Sequence, residues 1–212
     1  MYFLYLILLF LLFIILAPAI AAFLVIYLGL GFLDLSAGGM LLILLVMLIT
    51  SFINIPLTRK RFVRVVETSF FGALKRVVWR AQGVSINVGG ALIPLLIVGY
   101  FLPELPLKEL FITTGVVAFF SFLGARFIEK RGIMIPMLLP VLFAVIFSLM
   151  LAPEQAAEVA FSAGVLGVII GADLLHLPWI MRKRGGVMSI GGAGIFDGIL
   201  LVGVVSALLT GL

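Results

Sequence analysis

The chain has 212 residues, of which 65% are hydrophobic, and it carries only 14 Lys and Arg and 9 Asp and Glu residues. Its mean hydropathy is +1.41, whereas a soluble domain is about 45–50% apolar and about 25% charged. A soluble fold of this length cannot bury so much apolar surface, so the composition predicts one integral membrane domain over residues 1–212. The lack of cysteine excludes thiolate chemistry, and the single histidine excludes a multi-histidine metal site. We therefore expect no metal and no cofactor.

Seven segments are long and apolar enough to cross a bilayer, which takes about 20 residues in a helix. Backbone amides in lipid must be satisfied internally, so all seven are predicted to be helical. The predicted fold class is all-α, a polytopic transmembrane helix bundle. The predicted spans are Tyr2–Leu28, Met40–Leu57, Val84–Leu102, Leu110–Ile128, Ile133–Leu151, Val159–Ile180 and Ser189–Leu212.

The loops between these spans alternate in charge. The second, fourth and sixth loops carry most of the Lys and Arg residues, whereas the first and fifth carry only acids. The positive-inside rule places the basic loops in the cytoplasm, with the N-terminus inside and the C-terminus outside. The basic residues thus serve topology, so membrane lipid is the expected partner and nucleic acid is not. The sequence predicts no oligomeric state.

The basic second loop shows an apolar pattern of its own. Phe62, Val66, Phe70, Ala73 and Val77 follow helical spacing, with charged residues on the other side. That pattern predicts an amphipathic helix over about 59–80 that lies in the inner membrane interface.

Two regions resemble each other in order and direction. Residues 40–102 and 159–212 each contain a Pro followed by Arg-Lys-Arg, and then a Gly-Gly-Ala string that opens the next span. The similarity is short and gapped, and it predicts a parallel internal repeat. The two copies differ in their acids, since Asp173 and Asp197 occur only in the second.

Asp173 and Asp197 are the only charged residues well inside the predicted spans. An acid in hydrocarbon costs about 2.5–3.5 kcal/mol even on lenient scales, so a functional role is the first hypothesis. Each acid lies 12 residues from Gly185, in the loop that joins the last two spans. Two antiparallel helices would hold the acids at similar depth, where one keeps its proton and the other ionises. This is the arrangement of an aspartic protease.

Several neighbours are candidate residues lining this site. Glycines surround Asp197 and permit local unwinding. By themselves they are more typical of close helix packing, but together with the two equidistant acids they favour a functional site. His176 follows Asp173 on nearly the same helix face and either shares a proton with it or forms an ordinary hydrogen bond near the interface. Asn87 and Pro94 mark a polar, kink-prone place at similar depth. The glycines are Gly191, Gly192, Gly194 and Gly198.

The strings Gly171-Ala-Asp173-Leu-Leu-His and Gly191-Gly-Ala-Gly-Ile-Phe-Asp197-Gly resemble two groups. The second string is similar to the signature GGAGxFDG of an uncharacterised prokaryotic membrane family. Both together resemble the GxGD-type intramembrane aspartyl proteases, presenilin and signal peptide peptidase, whose catalytic acids lie on consecutive spans. The resemblance implies catalytic roles for Asp173 and Asp197. Tyr is replaced by Ala172, Asp197 is three residues after Gly194 rather than adjacent to it, and the later Pro-Ala-Leu element is missing.

These observations leave two functions open, besides a scaffold without chemistry. The first is an intramembrane aspartyl protease of the prokaryotic cytoplasmic membrane, acting on a transmembrane peptide. The alternative is a proton- or cation-coupled transporter or channel that uses the same acids. The scarcity of other polar residues in the spans favours the two-acid site of the protease.

Overall fold

The structure, a computed structural model, describes residues 17, 20–21, 23–59, 61–68, 75–128, 132–183, 187–192 and 198–210. This part of the chain is mostly helical, as predicted, but it also contains a small sheet. Two of its helices, Leu107–Gly124 and Pro153–Trp179, are long and apolar enough to span a membrane. The predicted span Tyr2–Leu28 lies largely outside the described residues.

The first half of the described chain alternates between helices and strands. A π-helical turn, Val88–Leu92, joins the longest strand to the third helix. The elements are α1 (Phe23–Leu33), α2 (Ala37–Thr50), β1 (Asn54–Pro56), β2 (Arg61–Thr68), β3 (Lys75–Asn87) and α3 (Ile93–Phe101).

The second half contains the longer helices. The sixth helix continues without interruption into a π-helical segment, Ile169–Leu174. The elements are α4 (Leu107–Gly124), β4 (Arg126–Ile128), β5 (Gly132–Met134), α5 (Leu138–Leu151), α6 (Ala156–Val168), α7 (Leu177–Lys183), β6 (Val187–Ile190) and α8 (Gly198–Thr210).

Helix α6 is the centre of the bundle. It packs against α3, α4, α5 and α8, and most of the Pro153–Trp179 helix is buried. Glycines allow the close approach, because a Cβ on Gly164 would lie 2.9 Å from the Cα of Gly203 on α8. On another face, a Cβ on Gly167 would lie 2.5 Å from a Val117 methyl of α4. Small residues at such crossings let membrane helices pack through their backbones.

The predicted amphipathic helix over 59–80 is wrong. The described part of this region forms strands β2 and β3, which pair antiparallel from Arg61↔Gln82 to Thr68↔Lys75. The segment is rich in β-branched valine, which favours strands. The helical spacing of its apolar residues does not exclude strands, because the register also places positions 62, 66 and 77 on one face of the hairpin.

The prediction of continuous helical spans is also only partly right. β3 pairs antiparallel with β1 and parallel with β6, so residues at the sheet-proximal ends of three predicted spans lie in strands. A second hairpin, β4–β5, interrupts two more. Strand pairing also provides hydrogen-bond partners for backbone amides and carbonyls. The partners of β3 are distant in sequence, whereas β4 and β5 are close together in the chain.

The strings that suggest the repeat lie side by side in this sheet. Gly83–Ile86 of β3 pairs with Val187–Ile190 of β6, with Ser85 opposite Ser189. Gly191 then turns with φ +68°, and a Cβ there would lie 2.7 Å from the Cβ of Ala91. Only glycine tolerates this φ together with this contact. The strings thus lead into α3 and α8 in the same direction, whereas duplication itself stays a prediction.

The charged segments lie at two opposite ends of the helices. We name the end that carries the strands the sheet end, and the end that carries most of the acids the acidic end. At the sheet end, the Gln82 side chain donates to the Met181 carbonyl and the end of α4 meets Pro136. At the acidic end, Gln155 donates to the Glu104 carbonyl at 3.2 Å. Among the described residues, every Lys and Arg except Lys108 belongs to a segment at the sheet end. The described acids at the acidic end are Asp34, Glu104, Glu109, Glu154 and Glu158.

Candidate functional site

Asp173 lies in the widened π-helical segment that follows α6, and it is only 8% exposed. The amide of Leu175 donates to the carbonyl of Ile170, five residues back, at 3.0 Å. Such wide turns inside helices occur frequently at functional sites. Gly171 holds this segment against α4, because a Cβ there would lie 2.1 Å from the Ala118 carbonyl oxygen. The segment that contains Asp173 is therefore packed on α4, and the aspartate itself is buried.

Ser121 of α4 lies at the level of Asp173. Ala118 packs against Gly171, and the Phe122 ring contacts the His176 ring with centroids 4.7 Å apart. The two helices are therefore parallel, and Ser121 falls between these two contacts. Its hydroxyl is buried and has no hydrogen-bond partner among the described residues. The sequence shows Ser121 as one of few polar residues in the spans, but only the packing of α4 on Gly171 reveals its level.

His176 is half-buried, and its Nδ1 forms two short contacts with the backbone. Nδ1 lies 3.1 Å from the carbonyl oxygen of Gly171 and 3.0 Å from that of Ala172. A carbonyl oxygen only accepts, so Nδ1 carries a proton and donates to both. His176 therefore forms an ordinary hydrogen bond to the backbone through Nδ1, and Nε2 takes no part in this bond.

Asn87 is fully buried and joins three segments. Its Oδ1 accepts from the amide of Gly90 at 2.7 Å, which caps the π-helical turn before α3. Its Nδ2 donates to the Ser51 carbonyl at 2.6 Å and to Asn54 Oδ1 at 3.2 Å. Ser189 of β6 donates to the same Oδ1 at 2.5 Å. The described contacts thus place Asn87 in a polar cluster where α2, β1, β3 and β6 meet.

Pro94 is buried in the first turn of α3. A proline is tolerated there because the first amides of a helix have no partner within it. The expected kink is therefore replaced by the π-helical turn that precedes Pro94. The described contacts place Asn87 and Pro94 near α2 and α3, whereas the segment that contains Asp173 packs on α4. That the two places line one cavity stays a prediction.

The glycine string before α8 is described only in part. Gly191 and Gly192 form the turn after β6, and Gly198 begins α8. Asp197 and Gly194 lie outside the described residues, so the separation of the two carboxyl groups is not part of the described geometry. The structure does place Gly198 at the sheet end, where a Cβ on it would lie 3.4 Å from Ile135.

Asp173 and Gly198 lie on the same side of the α6–α8 crossing. α5 is joined to α6 by the short turn Pro153–Gln155, and α5 and α8 both begin near Ile135, so α6 and α8 are antiparallel. Asp173 is nine residues after Gly164, and Gly198 is five before Gly203. With a rise of 1.5 Å per residue, they lie about 13 Å and about 7 Å beyond the crossing, toward the sheet end.

These features define the class of protein: an apolar, mostly helical chain with charged segments at two ends and a buried aspartate near its core. Within the described residues, no group of three or more His, Asp and Glu residues could hold a metal ion. The chain belongs to the family described as "Protein of unknown function (DUF1614)", whose sequence profile matches residues 48–209. No curated protein and no solved structure matches the chain significantly.

Proposed function

We propose that this protein is an intramembrane aspartyl protease, in which Asp173 and Asp197 hydrolyse a membrane-embedded peptide. The observation that carries the proposal is the burial of Asp173 in a widened turn, at the same end of the α6–α8 crossing as Gly198. Gly198 is the residue that follows Asp197 in the chain. The sequence resemblance to the GxGD-type proteases supports the same pair.

The chemistry requires the two carboxyl groups to differ in protonation. The ionised carboxylate takes a proton from a water molecule as the water oxygen attacks the scissile carbonyl carbon. The protonated carboxyl group donates its proton to the carbonyl oxygen. When the tetrahedral intermediate collapses, the carbon–nitrogen bond breaks and the leaving nitrogen takes the proton that the first aspartate received from water. One hydroxyl of the intermediate returns its proton to the second aspartate, so the pair again holds one proton. A low-dielectric site favours such a shared proton, because two close carboxylates do not both ionise.

Replacing either aspartate by asparagine tests this proposal. Asp173→Asn and Asp197→Asn keep the side-chain size but remove the titrating group, so cleavage of a co-expressed, epitope-tagged single-span protein should fall below detection. The measurement is the ratio of cleaved to intact substrate on an immunoblot. Glu154→Gln is the matched control, since this exposed acid at the opposite end should leave the ratio unchanged. Normal cleavage by either aspartate variant would contradict the proposal.

The proposed setting of the site is a bilayer crossed by the helices, with seven spans, the sheet end in the cytoplasm and the N-terminus inside. The segregation of charge between the two ends supports this orientation. The outer faces of α4 and α5 support it as well, because they expose large apolar side chains to the surroundings. These include Phe111, Phe119, Leu123, Leu138, Leu142 and Met150.

The orientation can be measured directly because the chain contains no cysteine. Single variants Arg59→Cys and Glu154→Cys place one thiol at each end. In intact cells, a membrane-impermeant maleimide should label only the second variant, and permeabilisation should expose the first. Labelling of the Arg59→Cys variant in intact cells would overturn the orientation, and labelling of both would show that the chain does not separate the two sides.

A second candidate function is a proton- or cation-coupled transporter or channel. The observation that favours it is a set of buried hydroxyls without hydrogen-bond partners among the described residues: Thr114, Ser121, Ser162 and Ser206. Buried polar groups of this kind call for an explanation such as water or an ion. Uptake by proteoliposomes that disappears in Asp173→Asn, without any cleavage activity in the wild type, would decide for this function.

A further inference from the structure

We propose that His176 is the proton relay of Asp173: its Nδ1–H is held by the backbone, while its Nε2 exchanges protons between the Asp173 carboxyl group and water at the sheet end. This inference rests on the proposed function in one respect, namely that Asp173 changes protonation during the reaction. It assigns a positioning role to one ring nitrogen and a proton-carrying role to the other.

The tautomer follows from the two acceptors around Nδ1. Gly171 and Ala172 both offer carbonyl oxygens, at 3.1 and 3.0 Å, so neutral His176 keeps its proton on Nδ1. Its Nε2 then has a lone pair and is the basic atom of the ring. The same two residues belong to the π-helical segment that contains Asp173, so the ring is hydrogen-bonded to the segment that carries the carboxyl group.

The position of His176 suits a relay. It follows Asp173 by three residues, in the direction of the sheet end, and it is half-buried, whereas Asp173 is buried. The Phe122 ring of α4 packs against the imidazole. Within the described residues, the charged groups on the elements around His176 are Asp173 itself, Arg126 after α4, and Arg182 and Lys183 of α7. In the Nδ1–H tautomer, Nε2 is the ring atom that carries the lone pair and can accept a proton.

The proton transfer balances without any further reactant. The Asp173 carboxyl group gives its proton to Nε2, directly or through one water, which leaves a carboxylate and an imidazolium. The imidazolium then loses that proton to water at the sheet end and returns to the Nδ1–H form. The reverse sequence reloads Asp173 after each turnover.

Two variants separate the two roles of His176. In His176→Asn, the amide nitrogen stands as many bonds from Cβ as Nδ1 does, so it can still donate to the two carbonyls, but nothing replaces Nε2. Phe122→Leu removes the ring contact and leaves both nitrogens in place. Thermal unfolding of both variants checks that they fold. A merely structural role predicts that His176→Asn behaves like the wild type.

The first measurement is the ring tautomer. Because His176 is the only histidine, ¹⁵N-histidine labelling of the reconstituted protein gives a single pair of ring resonances. We expect a protonated Nδ1 and an unprotonated Nε2 in the neutral form. An Nε2–H tautomer would overturn the proposal.

The second measurement is the rate at which Asp173 loses its proton after a pH jump, followed by infrared difference spectroscopy. The carboxyl band is assigned by its loss in Asp173→Asn. Acid–base assistance contributes factors of about 10² to 10⁴, so the rate should fall about a hundredfold in His176→Asn and stay normal in Phe122→Leu. Equal rates in His176→Asn and the wild type would overturn the relay. Neither measurement requires cleavage, so a wild type that hydrolyses no substrate would refute the protease alone.

Discussion

Valine in place of Gly171 should separate α4 from the buried aspartate segment and strongly lower the free energy of unfolding. A Cβ at this position would lie 2.1 Å from the carbonyl oxygen of Ala118 and 2.8 Å from its carbonyl carbon. Both atoms are backbone, so no rotamer change relieves the clash, and α4 itself must move. Overpacking typically costs about 1–3 kcal/mol, and a collision with helix backbone belongs at or above the upper end. The measurement is the midpoint of thermal or denaturant unfolding in detergent.

Gly115 of α4 supplies the matched control for this prediction. A Cβ at Gly115 would meet nothing within 4 Å, and alanine has the higher helix propensity by about 1 kcal/mol. Gly115→Ala should therefore leave the unfolding midpoint unchanged or raise it slightly. If Gly171→Val and Gly115→Ala had equal stability, the close packing of α4 against Gly171 would be wrong.

Replacing Asn87 by alanine should have the second large effect, because it removes three hydrogen bonds of one buried side chain. The Gly90 amide loses its cap, the Ser51 carbonyl loses its donor, and Asn54 loses one of its two donors. Loss of a helix cap costs about 0.5–2 kcal/mol, and each buried group left unsatisfied costs about 1–3 kcal/mol. We expect a loss of about 3 kcal/mol.

Asn87→Asp separates the bond that caps the π-helical turn from the bonds that Nδ2 donates to Ser51 and Asn54. An aspartate still accepts from Gly90, but at Nδ2 it places an acceptor opposite the carbonyl of Ser51. At neutral pH this variant should therefore keep the cap and still be destabilised. Asn54→Ala is the milder comparison, since Asn54 is exposed and Asn87 keeps its bonds to Gly90 and Ser51. Unfolding of all three variants in the same detergent checks the order, and an Asn87→Ala variant as stable as the wild type would contradict the prediction.

The elements that the sequence predicted well are those whose cause is local. Helices α4 and α6 lie within apolar runs whose length and composition are sufficient to form them. Pro94 and Asn87 were recognised as special positions from residue type alone, because proline lacks an amide and asparagine in an apolar run needs partners. Their actual roles depend on neighbours that a local pattern does not identify. Pro94 lies in the first turn of α3, and Asn87 caps the π-helical turn and bonds to Ser51 and Asn54.

The region around Phe62 and Val77 shows why a pattern is insufficient. Apolar residues spaced four apart satisfy a helix, but they also fall on one face of a strand, where the side-chain period is two. The pairing of β2 with β3 decided in favour of strands, together with the pairing of β3 with β1 and with β6. The residues of β6 lie 104 positions after their partners in β3. Such pairings join segments that are far apart in the chain, so the composition and periodicity of one segment do not predict them.

Some properties of this protein follow from the sequence alone: its apolar character, the separation of basic and acidic segments along the chain, and the choice of Asp173 and Asp197 as the exceptional acids. These properties follow from the free energies of transfer of single residues between water and an apolar environment, which do not depend on how the chain folds. Only the tertiary structure decided which helix packs against the segment that contains Asp173, how the His176 ring is held, and that the basic segments lie together at the sheet end. These depend on the van der Waals fit of glycine-rich backbones and on hydrogen bonds between distant segments, which exist only after the helices have packed.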